Sequence, residues 1–295
     1  MDKSKTIQVH IINAFVENDK GGNPAGMVLN ADKLSYKNKL EIAKKVGLSE
    51  TAFVSESKTE DFKLDFFTPN KQIAHCGHAT VATFSYLKQI GILKNDCTSK
   101  ETIDGKRKIC MMGEVAFMEQ LAPKYIDVSS KEHLILKSLG LQKNDLIHNA
   151  PIKLVNTGNS FMLIPVKNEV ILKNLIPDLN LISEISQEFD LIGYYVFSTK
   201  TENPKRDATA RMFGPYYGIL EEAGTGMAAG PLACYLFDIL KLKKERYNIQ
   251  QGKYMNIPSP SVIIVDLVIK NEKIKSVMAG GSGLVKTKLN IKINS

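Results

Sequence analysis

The chain opens on an alternating pattern. Ile7, Val9, Ile11 and Ile12 stand against polar neighbours, and Phe15-Val16 follow, which predicts a strand with one buried face. Asn18-Asp19-Lys20-Gly21-Gly22-Asn23-Pro24 is turn chemistry, and Ala25 to Leu29 resumes an extended apolar run. From Leu34 to Val46 the apolar positions Leu40, Ile42, Ala43 and Val46 fall on or near one helical face, with Gly47 as the stop. Ser49-Glu50 then leads into an apolar strand through Val54. Phe62 to Phe67 is a further strand, ended by Thr68-Pro69. Gly77 to Ile92 reads as a helix with small residues first and then Val81, Phe84, Tyr86, Leu87 and Ile90.

The second half repeats several of these features. The helix opening at Gly77 aligns with Gly226-Met227-Ala228 onward at an offset of 149 residues, and a slide of two residues is an equally open register. Upstream, Phe67-Thr68-Pro69 matches Phe213-Gly214-Pro215, and Gly22-Asn23-Pro24 resembles Gly158-Asn159-Ser160. Three matches in the same order predict two similar lobes. Their expected extents are 1–122 and 123–284, with a C-terminal strand at about 285–295 free to return to the first lobe. Each lobe would then present one helix N-terminus. Such ends carry unsatisfied N–H groups and a partial positive charge. Two of them facing one cleft, lined by residues near 23, 50, 77–78 and 222–226, would suit a carboxylate substrate.

Composition narrows the class. Of 295 residues, 43% are hydrophobic and 24% charged, which is ordinary globular usage. The four cysteines, Cys76, Cys97, Cys110 and Cys234, form no CxxC pair, so neither a zinc site nor a disulfide framework is expected. No run approaches the ~18 apolar residues of a membrane span, and the N-terminus lacks a signal-peptide core, so a soluble cytoplasmic protein is the expectation. The formal charge of +8 invites a nucleic-acid reading. However, only Arg107, Arg206, Arg211 and Arg246 are arginines, and the lysines are scattered, so a solvated surface is the simpler account. An anionic small substrate remains compatible with that charge.

Four places hold candidate chemistry. Gly22 to Gly26 is a turn between strands. Glu50 sits at the mouth of an apolar strand, either as a solvated strand end or, if buried, as an acid–base group. His75-Cys76-Gly77-His78 gathers two imidazoles and a thiol at a helix start. Glu221-Glu222-Ala223-Gly224-Thr225-Gly226 is the second lobe's counterpart.

Taken together, Gly-Asn-Pro-Ala-Gly (22–26), Ser-Glu-Thr-Ala-Phe-Val (49–54), Phe-Phe-Thr-Pro (66–69), Cys-Gly-His-Ala-Thr (76–80), the Glu-Glu-x-x-Thr-Gly-x-Ala run ending at 228 and Gln-Gly (251–252) resemble the PhzF family of phenazine-biosynthesis isomerases. The resemblance implies an α+β fold of the diaminopimelate-epimerase type, with two similar pseudo-symmetric lobes, each a curved sheet wrapped around a central helix. It implies cofactor-free, metal-free proton transfer, in which Glu50 takes a proton from carbon and returns it elsewhere. His78 and Glu222 would position substrate and protons. Asn23, Gly77, Thr225, Gly226 and Met227 fall at substrate-binding positions, with backbone N–H groups at 77, 78, 225 and 226 holding a carboxylate. A homodimer is the implied assembly.

The second motif departs from the family's usual Glu-Asp-Pro-x-Thr-Gly-Ser-Ala: Glu222 replaces aspartate and Met227 a serine. Gln72 and Ile257 replace a usual acid and arginine. These changes argue against dihydro-3-hydroxyanthranilate as substrate. The related epimerases need one cysteine per lobe; Cys76 fills one place and Ala223 the other, so two-thiol racemisation is not expected and Cys76 reads as a packed thiol. The expected function is an isomerase acting on a small carboxylate; a ligand-binding relative without turnover is the alternative.

Overall fold

The computed structural model describes residues 4–103 and 105–294. Ser295, the end of the expected returning strand, lies outside them, as do Met1 to Lys3. The chain divides into two compact units, one formed by residues up to Glu119 together with those from Gly280, the other by Gln120–Ala279.

The first unit contains β1 (Ser4–Val16), β2 (Asn23–Val28), α1 (Tyr36–Val46), β3 (Thr51–Ser55), β4 (Phe62–Phe67), β5 (Gln72–Ile73), α2 (Gly77–Gln89), β6 (Cys97–Thr102), β7 (Gly105–Met112) and most of β8 (Val115–Leu121). The second contains β9 (Lys124–Asp127), α3 (Glu132–Lys137), β10 (Lys153–Asn156), β11 (Ser160–Pro165), α4 (Glu169–Lys173), α5 (Leu179–Glu188), β12 (Gly193–Ser198), β13 (Ala208–Gly214), β14 (Ile219–Glu222), α6 (Gly226–Asp238), β15 (Arg246–Gln251), β16 (Ser261–Lys270) and the start of β17 (Lys273–Asn294).

In the first unit the sheet closes on itself. β1 pairs with β2, β2 with β3, β3 with β4, β4 with β6, β6 with β7 and β7 with β8. β17 pairs with both β8 and β1, which completes the ring. Closure removes the exposed edges that an open sheet would present. The ring surrounds α2, whose residues Gly77 to Leu87 are all buried. A helix buried on every side needs its polar groups satisfied internally. Accordingly Thr83 Oγ1 donates to the Ala79 carbonyl at 2.7 Å and Ser85 Oγ to the Glu114 carbonyl at 2.9 Å.

Helix α1 belongs to a different layer. Its apolar side joins Val9, Val28, Phe53, Phe67 and Ile293 in a cluster built with Ile42 and Ala43. The helix begins at Tyr36 rather than Leu34, because Ser35 caps it: Ser35 Oγ accepts from the Asn38 N–H, and Asn38 reaches back to the Ser35 N–H. Gly47 ends it in the left-handed conformation, as its sequence position suggests. α2 ends at Gln89, three residues before the expected Ile92. β2 begins at Asn23, so the turn is shorter than the sequence pattern indicated.

The second unit runs β9–β10–β11–β12–β13–β15–β16, with β14 also on β13. Its own buried helix, α6, is 13 residues long, as is α2, and starts 149 residues later. The core beneath α3, α4 and α5 contains Ile135, Leu154, Ile164, Leu172, Ile182 and Val196. No helix among the described residues is long and apolar enough to cross a membrane.

Candidate active site

In the first unit, α1 stops at Gly47 and β3 starts at Thr51, which leaves Glu50 at the strand's mouth. Its carbonyl accepts from the Gly26 N–H at 3.0 Å, fixing it beside β2. Asn23, at the head of that same strand, is buried. Glu50 itself is 8% exposed. Its Oε2 lies 3.3 Å from His78 Nε2, and His78 Nδ1 lies 3.6 Å from Cys76 Sγ. Gly77 and His78 are the first two residues of α2, where first-turn N–H groups have no partner within the helix.

Burial pushes the Cys76 thiol above its ordinary value; His78 pulls the other way and the Glu50 charge adds to the rise. Either the thiol or an Nδ1–H can donate in the Cys76–His78 contact, according to the imidazole tautomer. The side chains thus form a line, with His78 between the Cys76 sulfur and the Glu50 carboxylate. Their ligand-type atoms lie within 4.8 Å of one another, close enough to test as a metal site. A cation bound there would require the Cys76 thiol to lose its proton, against which its burial weighs.

A supporting layer lies behind the loop. Lys100 on β6 is fully buried; its Nζ sits 2.5 Å from Thr80 Oγ1, 3.2 Å from His75 Nδ1 and 4.8 Å from the centre of the Phe66 ring. Thr80 Oγ1 in turn donates to the Cys76 carbonyl at 2.6 Å. His75 is partly buried and closely packed. Burial first, then the charges of Lys100 and Arg107, holds its pKa well below the ordinary value, so its neutral ring accepts from Lys100. Lys100 is a residue that sequence reasoning missed. In Thr98-Ser99-Lys100-Glu101 a lysine looks like any solvated strand position.

The second unit's motif separates its two glutamates. Glu221 is held by Arg211 through two bonds of 2.7 and 2.9 Å. Glu222 accepts from the Thr225 hydroxyl. Gln251, fully buried, stitches the loop: its Oε1 accepts from the Thr225 N–H at 3.0 Å and the Tyr195 hydroxyl at 2.9 Å, and its Nε2 donates to the Glu222 carbonyl at 2.7 Å. The Thr225 N–H, expected to hold a carboxylate, is therefore already used by Gln251. Gly226 opens α6, and its carbonyl accepts from Gln120 Nε2 at 2.9 Å. Met227 is half-buried, with Sδ 3.4 Å from Asn159 Nδ2. Ala223 is buried and offers only a methyl. Gly252 follows Gln251 at φ +77°, and a Cβ there would fall 2.3 Å from the Ser259 carbonyl oxygen, so the Gln-Gly pair is a packing requirement of the loop.

These features define a protein of the diaminopimelate-epimerase-like fold carrying a buried glutamate–histidine pair at a helix start. The chain belongs to the PhzF family: the family model described as phenazine biosynthesis-like protein matches residues 12–288. It is 33% identical to an uncharacterized isomerase of Clostridium acetobutylicum, over 96% of this chain and 97% of that one. A trans-2,3-dihydro-3-hydroxyanthranilate isomerase of Pseudomonas chlororaphis is 27% identical over 93% of this chain and 95% of its own length. The crystal structure of a PhzF-family protein from Bacillus anthracis superposes with a TM-score of 0.88 at 30% identity, covering 98% of this chain and all of that one.

Proposed function

We propose that this chain is a cofactor-independent isomerase that moves a proton between two carbons of one small, carboxylate-bearing substrate, with Glu50 as the carrier. The observation that supports this most directly is the buried Glu50 carboxylate, 3.3 Å from His78 Nε2 at the start of α2. Ionised Glu50 accepts a proton from a C–H bond next to an unsaturated group. The bonding pair moves into that group, and the same oxygen returns the proton to a second carbon. One carboxylate performs both steps if water cannot exchange its proton between them, which its burial favours. His78 fixes the carboxylate, and the first-turn amides of α2 at Gly77 and His78 attract the substrate carboxylate. Asn23 stands at the head of the adjoining strand, β2. In the second unit, the α6 start at Gly226 and Met227 is another anion-attracting end, with the Thr225 N–H taken by Gln251 and Glu222 the acid beside it.

The relative named for trans-2,3-dihydro-3-hydroxyanthranilate isomerisation supports the reaction class. Glu222 and Met227 argue that the substrate here is a different carboxylate. The test is C–H exchange in heavy water over a panel of cyclic and amino-acid-derived carboxylic acids, that compound included. The wild type is expected to incorporate deuterium into at least one. Glu50→Gln, which keeps shape but cannot carry the proton, is expected to lower that exchange by about 10²–10⁴-fold. Near-normal exchange by Glu50→Gln would transfer the role to His78 or Glu222. No exchange by the wild type on any member would leave a ligand-binding protein.

A further inference from the structure

Two cysteines outside the candidate site face each other across the β6–β7 hairpin. Cys97 and Cys110 are direct register partners of the antiparallel pair, and their sulfurs are 3.4 Å apart. The Met111 N–H donates to the Asp96 carbonyl, one residue beyond each cysteine, so Cys97 and Cys110 form a non-hydrogen-bonded pair. Such pairs bring opposing Cα atoms to about 4.5 Å, inside the 4.4–6.8 Å range that a disulfide spans. Both side chains stand on the outer face: Cys97 is exposed and Cys110 half-buried, while Thr98, Lys100, Ile109 and Met111 point inward. Cys76 and Cys234, by contrast, are buried.

We propose that Cys97 and Cys110 are a reversible redox site, closed to a disulfide by exchange with a low-molecular-weight disulfide of the glutathione type. The Cys97 thiolate attacks one glutathione sulfur and displaces the other half as a thiolate, which takes up a proton. Cys110 then attacks Cys97 Sγ of the mixed disulfide and releases the second glutathione. Two protein thiols lose two electrons and two protons, and one glutathione disulfide becomes two glutathione thiols. Cys97 is exposed and Cys110 half-buried, so Cys97 makes the first attack; burial, then the neighbouring Cys97, pushes the Cys110 thiol up. The bond staples the strand that carries Lys100, the residue holding Thr80 and His75 behind the α2 start.

The test treats the full chain with excess oxidised glutathione under non-denaturing conditions. The expected product has lost two titratable thiols and the mass of two hydrogens. Trypsin releases the peptides 95–100 and 109–124 joined until reductant is added. Cys110→Ser is expected to stop instead at a stable glutathione adduct on Cys97. The closed form should melt about 5 °C above the reduced form, because the bond joins atoms already in place. A stable glutathione adduct on wild-type Cys97, a link through Cys76 or Cys234, no reaction at all, or a lower midpoint in the closed form would each overturn the proposal.

Discussion

At the scale of single residues, the decisive feature is the meeting of Glu50, His78 and Cys76 at the α2 start. Glu50 and His78 were both recognisable as motif residues, but Cys76 beside them invites a thiol mechanism. Burial, which pushes its thiol pKa up, and its 3.6 Å contact with His78 Nδ1 fit a packed thiol that supports the imidazole. A serine hydroxyl makes the same contact. Cys76→Ser is therefore expected to keep substrate C–H exchange within about tenfold of wild type, the scale of one altered hydrogen bond. A fall beyond about 10³-fold in the same heavy-water assay would make the thiol a reacting group and displace Glu50 from its role.

At the scale of elements, the starts of the two buried helices, α2 and α6, are each held by a polar side chain from a distant strand. Lys100 of β6 braces the α2 start through Thr80, and Gln251 of β15 braces the α6 start through the Thr225 N–H and the Glu222 carbonyl. Truncating Gln251 leaves those two groups and the Tyr195 hydroxyl buried without it. Gln251→Ala is expected to speed amide hydrogen exchange over residues 222–228 more than tenfold and to destabilise the unit by about 2–4 kcal/mol. Unchanged exchange there would show that the loop holds its own shape. The Gln251-Gly252 pair was visible in the sequence as a motif, but its purpose was not. Glutamine carries no periodic signal, and its partners lie between 26 and 56 residues away.

At the scale of the whole chain, the last strand closes the ring of the first unit. β17 reaches that ring from the far end of the sequence, and Gly283 lets it pass close over α2: a Cβ there would meet Ser85 Cβ at 2.8 Å. Gly283→Val is expected to push β17 away from α2 and lower stability by about 3 kcal/mol in denaturant titration, at the upper end of overpacking effects. A change below about 0.5 kcal/mol would show that the contact relaxes freely and that closure does not depend on it.

The sequence by itself determined the local structure and the chemistry-bearing types. Alternation marked β1, an apolar run marked β3, the stretch stopped by Thr68-Pro69 marked β4, and apolar spacing marked α1. Gly47 marked the end of that helix, and the repeated glycine-rich openings marked α2 and α6. It also placed Glu50 at a strand mouth and His78 in the first turn of a helix, because strand entry and helix start are set by near neighbours. Tertiary structure alone decided that the carboxylate and imidazole meet, that Lys100 is an interior brace, that the Thr225 N–H is taken by Gln251, and that Cys97 faces Cys110. Each of these depends on the register of strands far apart in sequence, and a shift of one residue in register turns a side chain to the other face.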